Sequence, residues 1–390
     1  MNNETRKETQ VLPKDVRYVG ADDLTLPLFE NQYPVQPMGV SYNSYLILDE
    51  KIAVMDSVDA RAADEWLAKL AHELDGRSPD YLVISHMEPD HSGSILRLAE
   101  KYQEMKLVGN TKTFTMLRQF FGAKAPTDDR LLEVGEGETL PLGAHTLHFM
   151  LAPMVHWPEV MVAYEETEKL LFSADAFGRF GALSRTAAAP WAPQARRYYY
   201  NIVGKYGAQV QALLKKAAAL EIETICPLHG PVLTGEALGE ALRLYDLWSR
   251  WQSESPDDIL LAHASIHGNT ARAAELLKQK LEAKGARVTL CDLTTTEVSY
   301  AVANAFYCGK LVLACSTYDG GLFPPMEEFL SHLQAKGFRD RSVGLMENGS
   351  WAPAAARLMR AKLEEMKDLR VCGTVVSLRS ALSPASEAQM

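Results

Sequence analysis

The stretch Ser85-His86-Met87-Glu88-Pro89-Asp90-His91-Ser92-Gly93 carries two imidazoles and two carboxylates directly after the apolar run Tyr81-Leu82-Val83-Ile84. A short apolar run bounded by turn residues reads as a buried strand, so the four side chains stand at a strand's mouth. Neutral imidazole is the commonest metal ligand and carboxylates are hard anionic ones. The mixture suits zinc, iron or manganese.

Upstream, residues 43–48 and 51–56 read as two strands around Asp49-Glu50, a hairpin. Trp66, Leu67, Leu70 and Leu74 then recur at helical spacing. After the cluster the pattern predicts a helix from about Ser92 to Tyr102 and strands at 106–109, 145–150, 159–164 and 169–174. Strands of both alternating and continuously apolar style, mixed with helices, imply a sheet core covered by helices. Three more candidates fall at strand ends: His156 before Trp157-Pro158, Asp175 closing Leu170-Leu-Phe-Ser-Ala-Asp175, and His229 in Cys226-Pro-Leu-His-Gly-Pro231. Such turns project side chains from a rigid scaffold. His72, His145, His148 and His332 fall outside this pattern and read as structural or surface residues.

The bulk properties narrow the function classes. A chain of 390 residues predicts two or three domains at roughly 100–200 residues each. The formal charge of -10 argues against sequence-independent nucleic-acid binding, which needs a basic surface. The polar start Met1–Glu8 shows no leader, and no apolar run approaches the roughly 18 residues of a membrane span. Five scattered cysteines without a Cys-x-x-Cys exclude a disulfide scaffold, a rubredoxin iron or an iron–sulfur cluster, and fit a reducing cytoplasm.

The pattern His-x-Glu-x-Asp-His, followed by His156, Asp175 and a distant His229, resembles the metallo-β-lactamase-like domain of the flavodiiron proteins, or A-type flavoproteins. Phe172-Ser-Ala-Asp-Ala-Phe-Gly178 and His156-Trp-Pro158 are similar to that family's flanking segments. The resemblance implies an αββα sandwich over residues 1–250. It also implies one iron on His86, Glu88 and His156, another on Asp90, His91 and His229, and Asp175 bridging them. Zinc hydrolases of this fold carry His where Glu88 stands. The added carboxylate suits harder, redox-active iron. Two departures stand out: neither Phe29-Glu30-Asn31 nor Arg179-Phe180 supplies the extra His that many members place there.

Residues 249–258, polar and ending near Pro256, read as a linker. Beyond it, strands at 259–264, 287–291, 310–315, 342–346 and 370–377 alternate with helices at 269–284, 298–306, 325–336 and 352–366. That alternation specifies an α/β doubly wound parallel sheet over 256–390. The first loop leads straight into a helix, a phosphate site without Lys. Neither Gly-x-Gly-x-x-Gly nor Gly-Lys-Ser/Thr is present, which leaves flavin mononucleotide as the best guest. The region resembles flavodoxin, with Ser265, His267, Gly268, Asn269 and Thr270 at the phosphate loop. Ser316, Thr317, Tyr318, Asp319, Gly320 and Gly321, with Asn348, Gly349, Ser350 and Trp351, match the loops flanking the isoalloxazine.

The two resemblances together imply an oxidoreductase that passes electrons from FMN to two non-haem irons, reducing dioxygen to water, nitric oxide to nitrous oxide, or both. They imply a head-to-tail homodimer or dimer of dimers, and, with no rubredoxin appended, a separate donor such as rubredoxin. A zinc hydrolase and a flavin electron carrier or sensor with an inactive metal site are the alternatives. Nucleic acid and membrane are not expected partners.

Overall fold

The computed structural model describes residues 11–390, and the polar stretch Met1–Glu8 lies outside them. The chain divides into two compact units, one of residues 1–199 with 208–246, the other of 200–207 with 247–390.

The first unit is built on two six-stranded sheets. One contains β1 (Val16–Tyr18), β2 (Tyr45–Ile47), β3 (Ala53–Met55), β4 (Tyr81–Val83), β5 (Lys106–Gly109) and β6 (Leu131–Glu133), in that order. The expected hairpin forms as the antiparallel pair β2–β3, and the pairings from β3 to β6 are parallel. The second sheet runs β7 (Thr139–Pro141), β8 (Thr146–Leu151), β9 (Met161–Glu165), β10 (Leu170–Phe172), β11 (Thr224–Cys226) and β12 (Leu233–Thr234).

Side-chain alternation explains the layering. In β8, Leu147 and Phe149 are buried while Thr146 and His148 are only half-buried, as a period of two requires of a strand with one covered face. Leu147, Phe149, Met161, Ala163 and Phe172 of one sheet share a single core with Ile47, Ala53, Met55, Val83 and Val108 of the other. The helix Ala63–Leu74 buries Trp66, Leu70 and Leu74, the apolar stripe legible in the sequence. The result is the αββα sandwich.

The helix expected over 92–102 is two pieces, Pro89–Ser92 and Ile95–Lys101. The break falls at Gly93, where a Cβ would lie 2.6 Å from the Pro89 carbonyl oxygen and 2.8 Å from the Ala60 nitrogen. Pro89 occupies the first helical position, where its missing N–H costs nothing, and holds Glu88 extended at ψ 141°. The strands of two or three residues, such as β6, β7, β11 and β12, are too short to show periodicity.

The second unit carries β13 (Ser255–Ala264), β14 (Val288–Asp292), β15 (Cys308–Tyr318), β16 (Ser342–Asn348) and β17 (Arg370–Leu378). They lie in the order β14-β13-β15-β16-β17 with every pairing parallel, the doubly wound order of flavodoxin. β13 starts at Ser255, inside the stretch read as linker. Ser255 pairs with Cys308, and the register then shifts before Ile259. Gly309 permits this, because any side chain there would strike the Pro256 backbone.

Phe149 is fully buried between the sheets. Phe149→Ala is expected to destabilise the first unit by about 3–5 kcal/mol. Denaturant titration followed by a probe in each unit should show the first transition shift and the second stay.

Candidate metal centre

The four strand-end signals in the sequence converge. His86 and Glu88 leave the end of β4, Asp90 and His91 sit on the short helix behind Pro89, and His156 lies in the β8–β9 connection. Asp175 follows β10, and His229 follows its parallel neighbour β11. The seven side chains form two groups of closely spaced donor atoms, His86, Glu88, His156 and Asp175 in one, and Asp90, His91 and His229 in the other.

The spacing suits coordination. His156 Nε2 lies 3.1 Å from Glu88 Oε2 and 3.0 Å from Asp175 Oδ2. His86 Nε2 lies 3.3 Å from Glu88 Oε2 and 3.6 Å from Asp175 Oδ2. In the second group, His91 Nε2 and His229 Nε2 are 3.0 Å apart, and Asp90 Oδ2 is 3.4 Å and 3.2 Å from them. Ligands at about 2.1 Å from a common ion stand roughly 3.0–3.4 Å from each other in octahedral or tetrahedral geometry. Asp175 touches both groups. Its Oδ2 faces His86 and His156, while Oδ1 lies 3.3 Å from His91 Nε2 and 3.8 Å from His229 Nε2.

Hydrogen bonds behind the ligands aim them. His229 Nδ1–H donates to the Ser41 carbonyl at 2.7 Å. A carbonyl can only accept, so the Nε2 lone pair is left for an ion. His86 Nδ1–H donates to Glu159 Oε1 at 2.7 Å, and the same oxygen accepts the Met87 N–H at 2.9 Å. The loop carrying His229 is held by Asn43, whose Nδ2 donates to the carbonyls of Pro227 and Gly230. Asp56 Oδ1 accepts the Ser85 N–H at the root of the cluster. Neither Glu159 nor Asp56 was among the candidates read from the sequence. The only signal was an acidic residue at the edge of an otherwise apolar run, since Glu159 opens onto Val160-Met-Val-Ala-Tyr164.

Both Asp90 carboxylate oxygens and Asp175 Oδ1 are buried without a hydrogen-bond partner. Buried polar groups are ordinarily paired, so these atoms mark a place for a cation. The titration behaviour agrees. Burial alone would lower the His156 pKa, but the Asp175 and Glu88 carboxylates reverse this and push it up to about 9. His86 is held well above its ordinary value against burial, chiefly by Asp175 and then by Glu159 and Glu88. Asp175 is held well below its ordinary value against burial by His86, His156 and His91. In the metal-free chain, protons on the imidazoles balance the carboxylates. His145, by contrast, pairs with Asp49 at 2.8 Å away from the cluster, and His148 with Glu166, as structural residues do.

One further carboxyl approaches the centre. Glu30 belongs to an exposed turn, yet its carboxyl end is crowded and feels the charges of the cluster. Loss of water and the Glu88 charge push it up to about 7, with a smaller push from Asp90 and an opposing one from His156.

The three loops read as a flavin site meet at the ends of β13, β15 and β16. Thr270 Oγ1 lies 2.8 Å from Ser316 Oγ, and Asn348 Nδ2 donates to Thr270 Oγ1 at 3.3 Å. Gly268, at φ 84°, turns the chain into the helix Asn269–Glu282, which starts without a side-chain cap. Its first N–H groups are therefore free of a capping side chain, the arrangement a phosphate needs. Ser265 Oγ accepts the Gly268 N–H. Asn269 accepts from Arg272, and His267 is exposed. Asp319 and Gly320 form the positive-φ turn between Tyr318 and Gly321. Thr317 Oγ1 accepts the Ala354 and Ala355 N–H groups and so caps a helix. Gly349 sits where a Cβ would meet Pro353, and Ser350 bonds Ser380. Tyr318 and Trp351 are exposed, Trp351 at 88%.

A family described as ODP family beta lactamase matches residues 40–230. The rubredoxin-oxygen oxidoreductase of Megalodesulfovibrio gigas is 28% identical over 356 residues, 89% of this chain and 87% of that one. The nitric oxide reductase of Moorella thermoacetica is 27% identical over 361 residues, 90% and 88% of the two chains. The crystal structure of the flavodiiron protein from Giardia intestinalis superposes with a TM-score of 0.89 at 25% identity, covering 97% of this chain and 93% of that one. Over nearly its whole length this chain is similar in sequence and fold to flavodiiron proteins.

Two outcomes follow for this metal cluster. Glu159→Gln removes the charge that orients His86, and metal affinity should fall about 10–100-fold in chelator competition. His156 binds its proton more tightly when folded. The stability it contributes to the metal-free chain is complete below its ordinary 6.5 and is lost as pH rises through about 9. Chelator-treated protein should lose denaturant resistance across that window, whereas metal-loaded protein should not, because bound ions replace the protons.

Proposed function

We propose that this chain is an oxidoreductase that passes electrons from FMN to a pair of non-haem irons and reduces dioxygen to water, nitric oxide to nitrous oxide, or both. The observation that carries the reading is Asp175, whose two carboxylate oxygens face two separate donor groups in a chain that also holds a flavodoxin-like sheet. His86, Glu88 and His156 would hold one iron, Asp90, His91 and His229 the other, with Asp175 shared between them. Ser265, His267, Gly268, Asn269 and Thr270 would hold the FMN phosphate. Residues 316–321 and 348–351 would flank its ring.

When bound, the irons supply open coordination positions and a change of oxidation state at which a diatomic molecule is reduced, and the flavin supplies the electrons. The chain's own contribution is to keep that chemistry fixed and dry. Three carboxylates favour the oxidised metal state. Glu159 and the Ser41 carbonyl keep both imidazoles on the tautomer that presents Nε2. His86, His91, His229 and Asp175 are almost wholly buried, which excludes competing water from their side of the site.

The zinc-hydrolase alternative is disfavoured by Glu88, an oxygen donor where a hydrolase of this fold presents an imidazole. Relatives named rubredoxin-oxygen oxidoreductase and flavorubredoxin support a rubredoxin-like electron donor for this chain, supplied separately. We extend the proposal to a head-to-tail homodimer or dimer of dimers, in which the flavin of one subunit serves the irons of another. Among the described residues no helix is long and apolar enough to cross a membrane. The five cysteines are unpaired, which supports a cytoplasmic setting.

Anaerobically purified protein should contain about two irons and one yellow flavin per chain; zinc without flavin would refute the reading. Asp175→Ala should abolish oxygen and nitric oxide consumption while the flavin spectrum persists. Full activity in that variant would remove Asp175 from the bridging position.

A further inference from the structure

The two donor groups are unequally equipped. Glu88 Oε2 and Asp175 Oδ2 stand 3.1 Å and 3.0 Å from His156 Nε2, and His86 Nε2 lies 3.3 Å and 3.6 Å from the same two oxygens. Two carboxylates therefore converge on two imidazoles. The other group has one carboxylate of its own, Asp90, at 3.4 Å from His91 Nε2 and 3.2 Å from His229 Nε2. Asp175 approaches it less closely, with Oδ1 at 3.3 Å and 3.8 Å from those imidazoles.

The groups behind the imidazoles repeat the difference. His86 Nδ1–H donates to the buried Glu159 carboxylate at 2.7 Å, and a carboxylate in that position makes the imidazole a stronger donor to a metal. His229 Nδ1–H donates to the Ser41 carbonyl, which carries no charge, and His91 Nδ1 has no hydrogen-bond partner. A divalent cation gains most where negative charge is concentrated, and burial magnifies that gain. An ion already bound draws on the shared Asp175 and repels a second one held roughly 3.5–4 Å away.

We propose that the metal centre assembles in a fixed order: the group of His86, Glu88, His156 and Asp175 takes the first ion, and the group of Asp90, His91 and His229 takes a second, more weakly held one. The centre then has a stable one-ion state, and a chelator empties it from the Asp90 side. The inference rests on reading the seven residues as a two-ion site.

The test uses full-length protein stripped of metal and titrated with cobalt(II), whose visible absorption reports each ion bound. Wild type should take up two ions in two steps, about tenfold or more apart in affinity. Asp90→Asn should leave the first step within about threefold of wild type and weaken the second by about tenfold or more. Glu159→Gln should weaken the first step about 10–100-fold and so narrow or close the gap between the two. Anomalous diffraction at the cobalt edge, from wild-type crystals grown with one equivalent of the metal, should place the ion among His86, Glu88, His156 and Asp175. That measurement does not depend on how the variants fold. An ion among Asp90, His91 and His229, uptake of both ions in a single step, or loss of the first step in Asp90→Asn would overturn the order. Uptake of no cobalt, or of only one ion, by wild type would overturn the two-ion reading itself, and the order with it.

Discussion

Three carboxylates and four imidazoles are packed in two adjoining groups whose donor atoms lie within 4.8 Å of one another, and most of them are buried. Isolated charges buried in this way cost several kcal/mol each, so the cluster is tolerable only when cations or shared protons balance it. The surroundings are arranged to meet that demand. Parallel pairing of β10 with β11 brings Asp175 and His229 out side by side, and Pro89 turns the chain so that Glu88 and Asp90 reach different donor groups. Two sheets filled with apolar side chains give those loops a base that does not yield.

The outer layer of hydrogen bonds decides what the inner one can do. Glu159 and the Ser41 carbonyl each occupy the Nδ1 of one imidazole, which leaves Nε2 as the only donor facing inward. Asn43 fastens the His229 loop at two carbonyls, so the side chain at position 229 is positioned by a residue almost two hundred positions earlier in the chain. The second unit uses a different device. There the threonine, serine and asparagine of three separate loops bond one another across the ends of a parallel sheet.

Much of this was legible in the sequence because it is local. His86 to His91 is one contiguous motif, and the apolar runs feeding His156, Asp175 and His229 announce strand ends. The five-strand alternation of the second unit likewise needs only a window of a few residues to see. What escaped was short or non-local. The two- and three-residue strands carry no period. β13 begins on a Pro-containing polar segment because Gly309, more than fifty residues away, leaves room for it. Glu159 and Asp56 look like ordinary acidic residues until the fold sets them behind His86 and Ser85.

The sequence alone determined which imidazoles and carboxylates stand at strand ends and the pairing of a metallo-β-lactamase-like unit with a flavodoxin-like one, because side-chain chemistry and periodicity are properties of the residues themselves. The tertiary structure alone decided which donors share a group, that Asp175 faces both, and that Glu159 stands behind His86. Those facts depend on the angle at which strands leave two packed sheets and on which atoms remain in reach of water. Both are set by contacts between residues far apart in the chain.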